Sequence, residues 1–267
     1  MKMKNIVNIL FTGLLFIFTG CEKVIDLSYK SNPSRIIIQG NVTNEAGPYY
    51  VKITKSVGLK DTGSYPTIDD AIVTISDDAG NSDTLSILGH GSYRTNHLTG
   101  VEGRTYTLRV QAGDQTYTAQ STMPQQVRFD SIKVETDLII GETEYSFIPV
   151  YTDPIAKGNN YRFVLWLNDS LINQQLVQND EVRNGITNTV RLEINDDDFD
   201  FKPGDLVTLQ MQCIDKNVAL YYRTLALISD SGPGGGTTPN NPPDNISNGA
   251  LGLFSAHTVE TKGVKVP

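Results

Sequence analysis

The feature that most constrains the fold is an alternation of apolar and polar residues with a period of two, which recurs from Ser34 to about Met123. A strand with this pattern buries one face and exposes the other, as in antiparallel sheets. Turn-forming residues separate the segments, for example at 78–81 and 112–115. About seven short strands without a helical period predict an immunoglobulin-like or transthyretin-like β-sandwich over residues 34–124. The residues expected to face its core are Ile36, Ile38, Val42, Tyr49, Val51, Ile53, Ala71, Val73, Ile75, Leu85, Ile87, Tyr106, Leu108, Val110, Tyr117 and Ala119.

The second half of the chain, residues 125–267, is predicted to form another β-rich domain with one short helix. Its predicted strands are 161–167, 187–194, 206–214 and 250–258. The first of these is a dense apolar run, typical of a central strand, and the second and third can form a hairpin around an acidic turn. Residues 218–229 carry apolar side chains at helical spacing and are predicted to be the helix. The expected fold is therefore all-β, with two β-sandwich domains that meet at Met123 and Pro124.

Residues 1–20 have the composition of a secretory signal peptide. Lys2 and Lys4 give a basic start, an apolar run follows, and small residues precede Cys21. A cysteine at this place predicts processing as a lipoprotein, in which the Cys21 thiol receives a diacylglyceryl group. Several acyl chains on one residue give stable membrane anchoring, which a single chain does not. We therefore expect residues 21–33 to be a lipidated tether.

The charge balance argues against two classes of partner. Of the 22 basic residues, Lys2 and Lys4 leave with the signal peptide, so 20 basic residues remain against 30 acidic ones. Nucleic acids and anionic lipid surfaces select basic patches. The mature chain is therefore not expected to bind either of them, and its acidity is typical of a soluble exported protein.

Cys213 has no cysteine partner, because Cys21 is used for lipid. It falls on the apolar face of an alternating segment, together with Leu209 and Met211. We interpret it as a buried thiol that packs as a small hydrophobic side chain. A nucleophilic role would need a positioned histidine, and the chain has three histidines in all.

Two triplets, at 61–63 and 230–232, match the Asp-Thr/Ser-Gly pattern around the catalytic carboxylates of aspartic proteases. That chemistry needs each aspartate on a loop braced by apolar strands. Lys60 precedes the first triplet, however, and a run of proline and glycine follows the second. We interpret the pair as a coincidence, and a hydrolase that uses Asp61 and Asp230 is the rival function.

The acidic turn with Asp196, Asp198 and Asp200 is the weak candidate for a metal site. Its carboxylates are ligands of the kind that calcium prefers, but the glycine and the terminal glutamate of an EF-hand loop are missing. His90 and His97 lie in a glycine-rich turn without a cysteine, which is a poor donor set for zinc. No metal site, cofactor or catalytic residue is therefore expected.

Residues 231–245 are rich in Gly, Pro, Thr and Asn and are predicted to form a long loop. A loop of about fifteen residues without secondary structure is unusual in a compact domain, and is either functional or disordered. We expect this loop and the exposed 58–70 loop to contact a partner, while an inert linker is the alternative for the first. The candidate contact residues are Ser231, Gly232, Pro233, Gly234, Thr237, Pro239, Asn240 and Asn241.

Trp166 is the single tryptophan of the chain. Carbohydrate-binding surfaces usually offer several exposed aromatic side chains, so we predict that Trp166 packs in the core. Tyr50, Tyr65 and Tyr151 remain as candidates for a sugar-binding surface. A short O-glycosylation pattern, aspartate followed by Ser or Thr and an apolar residue, occurs at 83–85, 130–132 and 169–171, but chance matches to so short a pattern are expected.

Four segments carry a resemblance to a known family. They are 21–27 (Cys-Glu-Lys-Val-Ile-Asp-Leu), 71–78 (Ala-Ile-Val-Thr-Ile-Ser-Asp-Asp), 103–108 (Gly-Arg-Thr-Tyr-Thr-Leu) and 245–254 (Asn-Ile-Ser-Asn-Gly-Ala-Leu-Gly-Leu-Phe). In their order and spacing they resemble the Bacteroidota lipoproteins called domain of unknown function 4249 (DUF4249). The resemblance extends over essentially the whole mature chain.

Members of that family are typically encoded near TonB-dependent outer-membrane transporters. The resemblance therefore implies an outer-membrane lipoprotein, facing the cell exterior, that serves such a transporter as a non-enzymatic binding or accessory subunit in nutrient capture. Its expected partners are the outer membrane, through the lipid on Cys21, and a TonB-dependent β-barrel. A carbohydrate- or peptide-binding lipoprotein that works alone is the alternative.

Overall fold

The chain folds mainly into β-strands, which confirms the predicted all-β class. The computed structural model describes residues 33–58, 61, 63–139, 142–180, 184–194, 199–229 and 241–267. Residues Ser34–Pro267 form one compact unit. The predicted signal peptide, the predicted lipidation site at Cys21 and most of the predicted tether lie outside the described residues.

The described residues contain fourteen strands and one helix. In chain order they are β1 Ile36–Thr43, β2 Tyr50–Lys55, β3 Ile72–Asp77, β4 Ser82–Thr84, β5 Ser86–Gly89, β6 Ser92–Arg94, β7 Thr105–Ala112, β8 Gln115–Thr122, β9 Phe129–Ile139, β10 Glu142–Tyr151, β11 Asn160–Leu167, β12 Ser170–Asn179, β13 Leu206–Ile214, α1 Lys216–Ser229 and β14 Leu251–Lys265.

These strands form three sheets. The largest has the order β12-β11-β13-β14-β1-β2-β6-β5, a second has the order β4-β3-β7-β8, and β9 pairs with β10 as a hairpin. β14 joins the two parts of the largest sheet, because residues 251–257 pair parallel with β1 and residues 258–265 pair antiparallel with β13. A single long strand therefore connects the first and second halves of the chain.

The pairing of β1 with β14 requires a glycine at position 252. Gly252 has a φ of +112°, and a Cβ atom there would lie 2.0 Å from the carbonyl oxygen of Ile38. A positive φ is strained for a residue with a side chain, and the distance is far shorter than a van der Waals contact. The two backbones can therefore approach each other only because position 252 has no side chain.

The first hydrophobic core confirms the alternation that the sequence shows between Ser34 and Met123. Its buried members include Ile36, Ile38, Val42, Tyr49, Val51, Ile53, Val73, Ile75, Leu85, Tyr106, Leu108, Val110 and Ala119. Ala71 and Tyr117 are only partly buried. The prediction is wrong for Ile87, which is 47% exposed because β5 is a short strand at the end of its sheet.

The second hydrophobic core is built on β11 and β13. The predicted central strand at 161–167 is confirmed, since β11 pairs with β12 on one side and with β13 on the other. The buried side chains of this core include Phe129, Phe147, Tyr161, Phe163, Leu165, Val207, Leu209, Met211 and Cys213. Tyr161, Phe163 and Leu165 alternate along β11, so this strand turns one face toward the core.

The predicted hairpin between 187–194 and 206–214 is wrong. β13 pairs with β11 and β14 instead. The 187–194 segment runs alongside β10, and its Leu192 N–H donates to the Phe147 carbonyl of that strand at 2.9 Å. Leu192 is buried, so an irregular extended segment with one buried face explains the same alternation.

The predicted helix is confirmed, and it begins two residues earlier than expected, at Lys216. Asp215 caps its first turn, because Oδ1 accepts the N–H groups of Asn217 at 2.8 Å and Val218 at 3.0 Å. An aspartate that satisfies these otherwise unpaired donors stabilises a helix start. The helix therefore begins directly after β13 ends.

The division into two domains at Met123 and Pro124 stays a prediction. Each half of the chain supplies most of one hydrophobic cluster. β14 contributes to both, with Phe254 and Ala256 in the first cluster and Val264 packed against the second. The C-terminal strand therefore ties the two clusters together.

Candidate functional site

A groove of about 1110 Å³ lies beside β12, the strand at one end of the largest sheet. β12, the segment 186–194 and α1 provide most of its lining. The lining residues are Tyr151, Asp153, Asn173, Gln174, Gln175, Leu176, Val177, Gln178, Asn179, Asp180, Ile186, Asn188, Val190, Arg191, Leu192, Glu193, Ile194, Phe199, Arg223, Ala226 and Leu227. A smaller cavity of about 470 Å³ lies along 94–99. We take the larger groove as the candidate site because it combines volume with many polar side chains.

The side of the groove formed by β12 is rich in amides. The Gln174 Nε2 donates to the Glu193 carbonyl at 3.0 Å, and the Gln178 Nε2 lies 3.5 Å from the Val190 carbonyl. Among the strands that the structure describes, β12 pairs with β11 alone. The end strand of the sheet is therefore connected to the opposite wall through side-chain amides.

The wall at 186–194 is held in place by β10. The Asn188 N–H donates to the Tyr151 carbonyl at 2.8 Å, and the Asn188 Nδ2 donates to the Pro149 carbonyl at 2.8 Å. The buried Asn188 thus bonds β10 through both its backbone and its side chain. This wall is an anchored segment although it forms no regular strand.

The helix α1 forms the other wall. The Arg223 Nη2 donates to the Asn160 Oδ1 at 2.9 Å, which connects the helix to the start of β11. Leu227 is 70% exposed on the same helix and lines the groove. The helix therefore offers one anchored cation and one apolar side chain to a ligand.

Two buried carboxylates, Asp153 and Asp180, also line the groove, and each residue is 4% exposed. The Tyr161 hydroxyl donates to the Asp153 Oδ1. Burial raises the pKa of Asp153, the negative charge of Asp180 raises it further, and the hydrogen bond from Tyr161 opposes both effects. Burial and Asp153 hold the pKa of Tyr161 far above its ordinary value, so the hydroxyl stays a donor.

A second polar cluster lies against α1. The Arg162 guanidinium is 4.1 Å from the centroid of the Tyr222 ring, and its Nη1 donates to the Gln212 Oε1 at 2.9 Å. Burial lowers the pKa of Arg162, although Tyr222 opposes this effect. Burial and the charge of Arg162 lower the pKa of His257 to about 4. His257 is therefore neutral near pH 7.

Cys213 is a buried free thiol, as the sequence predicts. Its Sγ accepts the Val127 N–H at 3.3 Å. Burial raises the pKa of the thiol above its ordinary value, despite hydrogen bonds from Thr258 and Val127 that lower it. The protonated thiol is a poor nucleophile, which agrees with a packing role.

Only one aspartate of the hydrolase hypothesis lies among the described residues. The Asp61 Oδ2 accepts the Gly58 N–H at 2.8 Å within its own loop. Asp230 lies outside the described residues. The hydrolase hypothesis therefore stays untested.

The weak metal candidate at the acidic turn is described only in part. Asp196 and Asp198 lie outside the described residues, and Asp200 is exposed and lies 3.1 Å from the Lys202 Nζ. In the part of the chain that the structure describes, no group of three or more His, Cys, Asp or Glu residues could hold a metal ion. That finding includes His90 and His97.

Most of the predicted contact loop at 231–245 lies outside the described residues. This applies to Ser231, Gly232, Pro233, Gly234, Thr237, Pro239 and Asn240. Asn241 is described and exposed. The C-terminal end of the loop is anchored, since the Asn245 Nδ2 donates to the Phe254 carbonyl at 2.7 Å and the Phe254 N–H donates back to Asn245 at 3.0 Å.

The described residues of the 58–70 loop are exposed, with the exception of Ile68. Tyr65 is 58% exposed, as predicted for a contact loop. The end of the loop is bound to β2, because the Lys55 N–H donates to the Pro66 carbonyl at 2.8 Å and Ile68 is buried. Ile68 is the one buried residue among the described residues of this loop, so the prediction of an exposed loop is confirmed.

The aromatic candidates are distributed differently from the prediction. Trp166 is only partly buried, and it belongs neither to the two hydrophobic cores nor to the small cluster of Ile214, Val218, Ala219 and Leu253. Its predicted core role is therefore wrong. It follows the buried Leu165 in β11 and therefore lies on the opposite face of the strand. Tyr50 is 52% exposed, whereas Tyr151 is 3% exposed and is no stacking platform.

The groove itself was missed by the sequence interpretation. Its only local signal is the concentration of amides in one strand, namely Asn173, Gln174, Gln175, Gln178 and Asn179. The opposite wall and Asp153 come from other parts of the chain. A pattern within one segment therefore could not predict that β12, the opposite wall and Asp153 line the same groove.

The comparisons with known proteins identify the family but no activity. A family model described as "Domain of unknown function (DUF4249)" matches residues 22–263, so the chain belongs to this family. No curated protein matches the sequence. Within the described residues, no helix has both the length and the hydrophobicity that a membrane crossing requires.

Proposed function

We propose that this DUF4249 protein is a non-enzymatic lipoprotein of the outer membrane that captures extended peptides as the accessory subunit of a TonB-dependent transporter. The groove beside β12 is the observation that carries the proposal. It combines an end strand of a sheet with two anchored walls. Such an arrangement suits an extended polypeptide, which can lie along an end strand while pockets receive its side chains.

The lining of the groove favours a peptide over a sugar. Its two aromatic residues are Tyr151, which is buried, and Phe199, which is partly buried, so neither offers a broadly exposed ring face to a sugar. Trp166 is not part of the lining. Gln174 and Gln178 bond to the opposite wall. Amide side chains both donate and accept hydrogen bonds, so Asn173, Gln175 and Asn179 can bind the peptide groups of many sequences.

The charged and apolar residues of the walls add to this argument. Arg191 and Glu193 are exposed on one wall, and Ile186 beside them is 52% exposed. Arg223 and Leu227 lie on the helix wall. A lining with both charge signs and apolar patches suits mixed peptides better than one chemical type of ligand, which is what nutrient capture requires.

The location rests on the first residues of the chain and on the family resemblance. Changing Cys21 to Ala removes the thiol that lipidation needs. We expect the variant to appear in the soluble fraction, while the unchanged protein sediments with outer membranes. A variant that still sediments with membranes would show that another feature anchors the protein.

The partner is tested by affinity purification of the tagged protein from detergent-solubilised outer membranes. We expect a TonB-dependent β-barrel to be recovered with it, and the Cys21→Ala protein serves as the control for binding without an anchor. Recovery of the protein without a β-barrel would contradict the accessory role. It would leave peptide capture by a lipoprotein that works alone.

The groove is tested by narrowing it. Ile186→Trp places a large side chain in the groove, and Ile87→Trp is a matched control because Ile87 is 47% exposed and lies outside the groove. The detergent-solubilised protein is incubated with a tryptic digest of casein, and the retained peptides are measured by mass spectrometry. We expect Ile186→Trp to bind at least about tenfold more weakly, which corresponds to about 1.4 kcal/mol, and Ile87→Trp to bind normally.

The same assay separates the rival functions. Retained peptides of unchanged mass indicate binding, whereas new fragments would indicate a peptidase. Xylan and dextran oligosaccharides are tested in parallel. Retention of these sugars without peptides would replace the peptide proposal with carbohydrate binding, and equal retention by both tryptophan variants would remove the groove as the site.

A further inference from the structure

The strongest feature not used by the proposed peptide site is a pair of buried oxygen atoms that accept no hydrogen bond. They are the Asp153 Oδ2 and the Asn184 Oδ1. Burying a polar atom without a partner costs about 1–3 kcal/mol, and more when the group is charged. Two such acceptors close together therefore need an explanation.

Backbone hydrogen bonds bring residue 153 beside the residues that directly follow Asn184. The Asp153 N–H donates to the Ile186 carbonyl at 3.0 Å, and the Gly185 N–H donates to the Asp153 carbonyl at 3.1 Å. Residue 153 thus pairs with the two residues that follow Asn184. The side chains of Asp153 and Asn184 start from neighbouring positions.

Asp180 adds a second carboxylate to this place. The Asp153 Oδ1 accepts from the Tyr161 hydroxyl and the Asp180 Oδ2 accepts from Asn159, so both carboxylates lie at the start of β11. The negative charge of Asp180 also raises the pKa of Asp153. The Asp180 Oδ2 is fixed by the Asn159 N–H at 2.9 Å and by the Asn159 Nδ2 at 3.2 Å. None of the ion pairs found among the described residues includes Asp153 or Asp180.

We propose that Asp153, Asp180 and Asn184 form a calcium-binding site beside the groove, whose lining includes the two aspartates. The donors are two carboxylates and one amide carbonyl, all of them oxygen atoms. Calcium takes six to eight oxygen ligands in flexible geometry, whereas zinc prefers nitrogen and sulfur. The +2 charge of the ion compensates the negative charges of the two buried carboxylates. The two unpartnered oxygen atoms, Asp153 Oδ2 and Asn184 Oδ1, become ligands of the ion.

The site is distinct from the acidic turn at Asp196, Asp198 and Asp200. It also does not depend on the identity of the ligand in the groove. With three side chains as protein ligands, the remaining positions would fall to backbone carbonyls and water. We therefore expect affinity in the range of extracellular calcium modules, roughly 10⁻⁴–10⁻³ M.

The test is calcium binding by the detergent-solubilised full-length protein, measured by calorimetry and by thermal unfolding. At about ten times the dissociation constant, bound calcium should raise the melting temperature by about 3–5 °C relative to EDTA. Magnesium at the same concentration controls for ionic strength and should have a smaller effect. A missing calcium response, or an equal response to both ions, would overturn the proposal.

Variants locate the site. Asp153→Asn keeps the size of the side chain and the acceptor for Tyr161, so in EDTA it should melt at the same temperature as the unchanged protein or higher. It should lose the rise in melting temperature on calcium addition. Asp180→Asn should also lose this rise. Asp200→Asn is the matched control, because Asp200 is an exposed carboxylate of the rival acidic turn. Calcium binding that survives in both the Asp153 and Asp180 variants, or that disappears with Asp200→Asn, would refute the site.

Discussion

The buried His257 gives a pH dependence of stability that can be worked out from the structure. The residue is 6% exposed, and its Nδ1 lies 2.9 Å from the Ser255 Oγ. Burial and the positive charge of Arg162 lower its pKa from 6.5 to about 4. The unfolded chain therefore takes up a proton at this histidine at a higher pH than the folded chain does.

The sign of the effect follows directly. Above about pH 6.5 the histidine is neutral in both states, and its contribution to stability is fully present. As the pH falls from 6.5 toward about 4, the unfolded state gains the proton first and the folded state loses stability. At about 1.4 kcal/mol for each pKa unit, the loss amounts to roughly 2–3 kcal/mol at about pH 4.5.

The perturbation is His257→Gln, which removes the titrating ring and keeps a polar side chain beside Ser255. Urea unfolding is followed by the fluorescence of Trp166, the single tryptophan, at about pH 7 and about pH 4.5. We expect the variant to lose roughly 2–3 kcal/mol less stability between these pH values than the unchanged protein does. Other acid-sensitive groups are common to both proteins and cancel in this comparison. Equal losses would refute the lowered pKa of His257.

Two further substitutions and one reactivity measurement test the packing. Asp83→Ala removes a carboxylate oxygen that accepts the backbone N–H groups of residues 96–98 at 2.7, 2.6 and 2.9 Å, and should cost about 2–4 kcal/mol in urea unfolding. Gly252→Ala should cost about 3 kcal/mol or more by the same measurement, because the new Cβ meets the Ile38 carbonyl and the φ is strained. Cys213 should react with a thiol reagent such as DTNB only after unfolding, and rapid reaction of the folded protein would contradict its burial.

The sequence predicted the core of the first half well, because alternation depends on which face of a strand is buried. It failed at Ile87, where alternation continues in a strand that lies at the end of the sheet and has less to pack against. It also failed at 187–194, where one buried face occurs without a regular strand. Periodicity thus indicates burial more reliably than it indicates strand pairing.

The helix shows what a local signal can and cannot supply. The spacing of apolar residues predicted its existence, and its start was missed by two residues because the cap depends on Asp215. An aspartate directly before a helical pattern is a start signal that the sequence does contain. The error at this end was therefore one of interpretation and not of missing information.

The groove and the proposed calcium site could not be predicted in the same way. β12 forms one side of the groove because it lies at the end of the largest sheet, and its place there depends on β11 pairing with β13 and on β13 pairing with β14. Asp153 lies beside the segment that follows Asn184 because its backbone bonds to residues 185 and 186. These contacts join residues far apart in the chain, and no side-chain periodicity records them. The unpartnered oxygens can be identified only once these contacts are known. The calcium site is therefore proposed from buried polar atoms and not from a sequence motif.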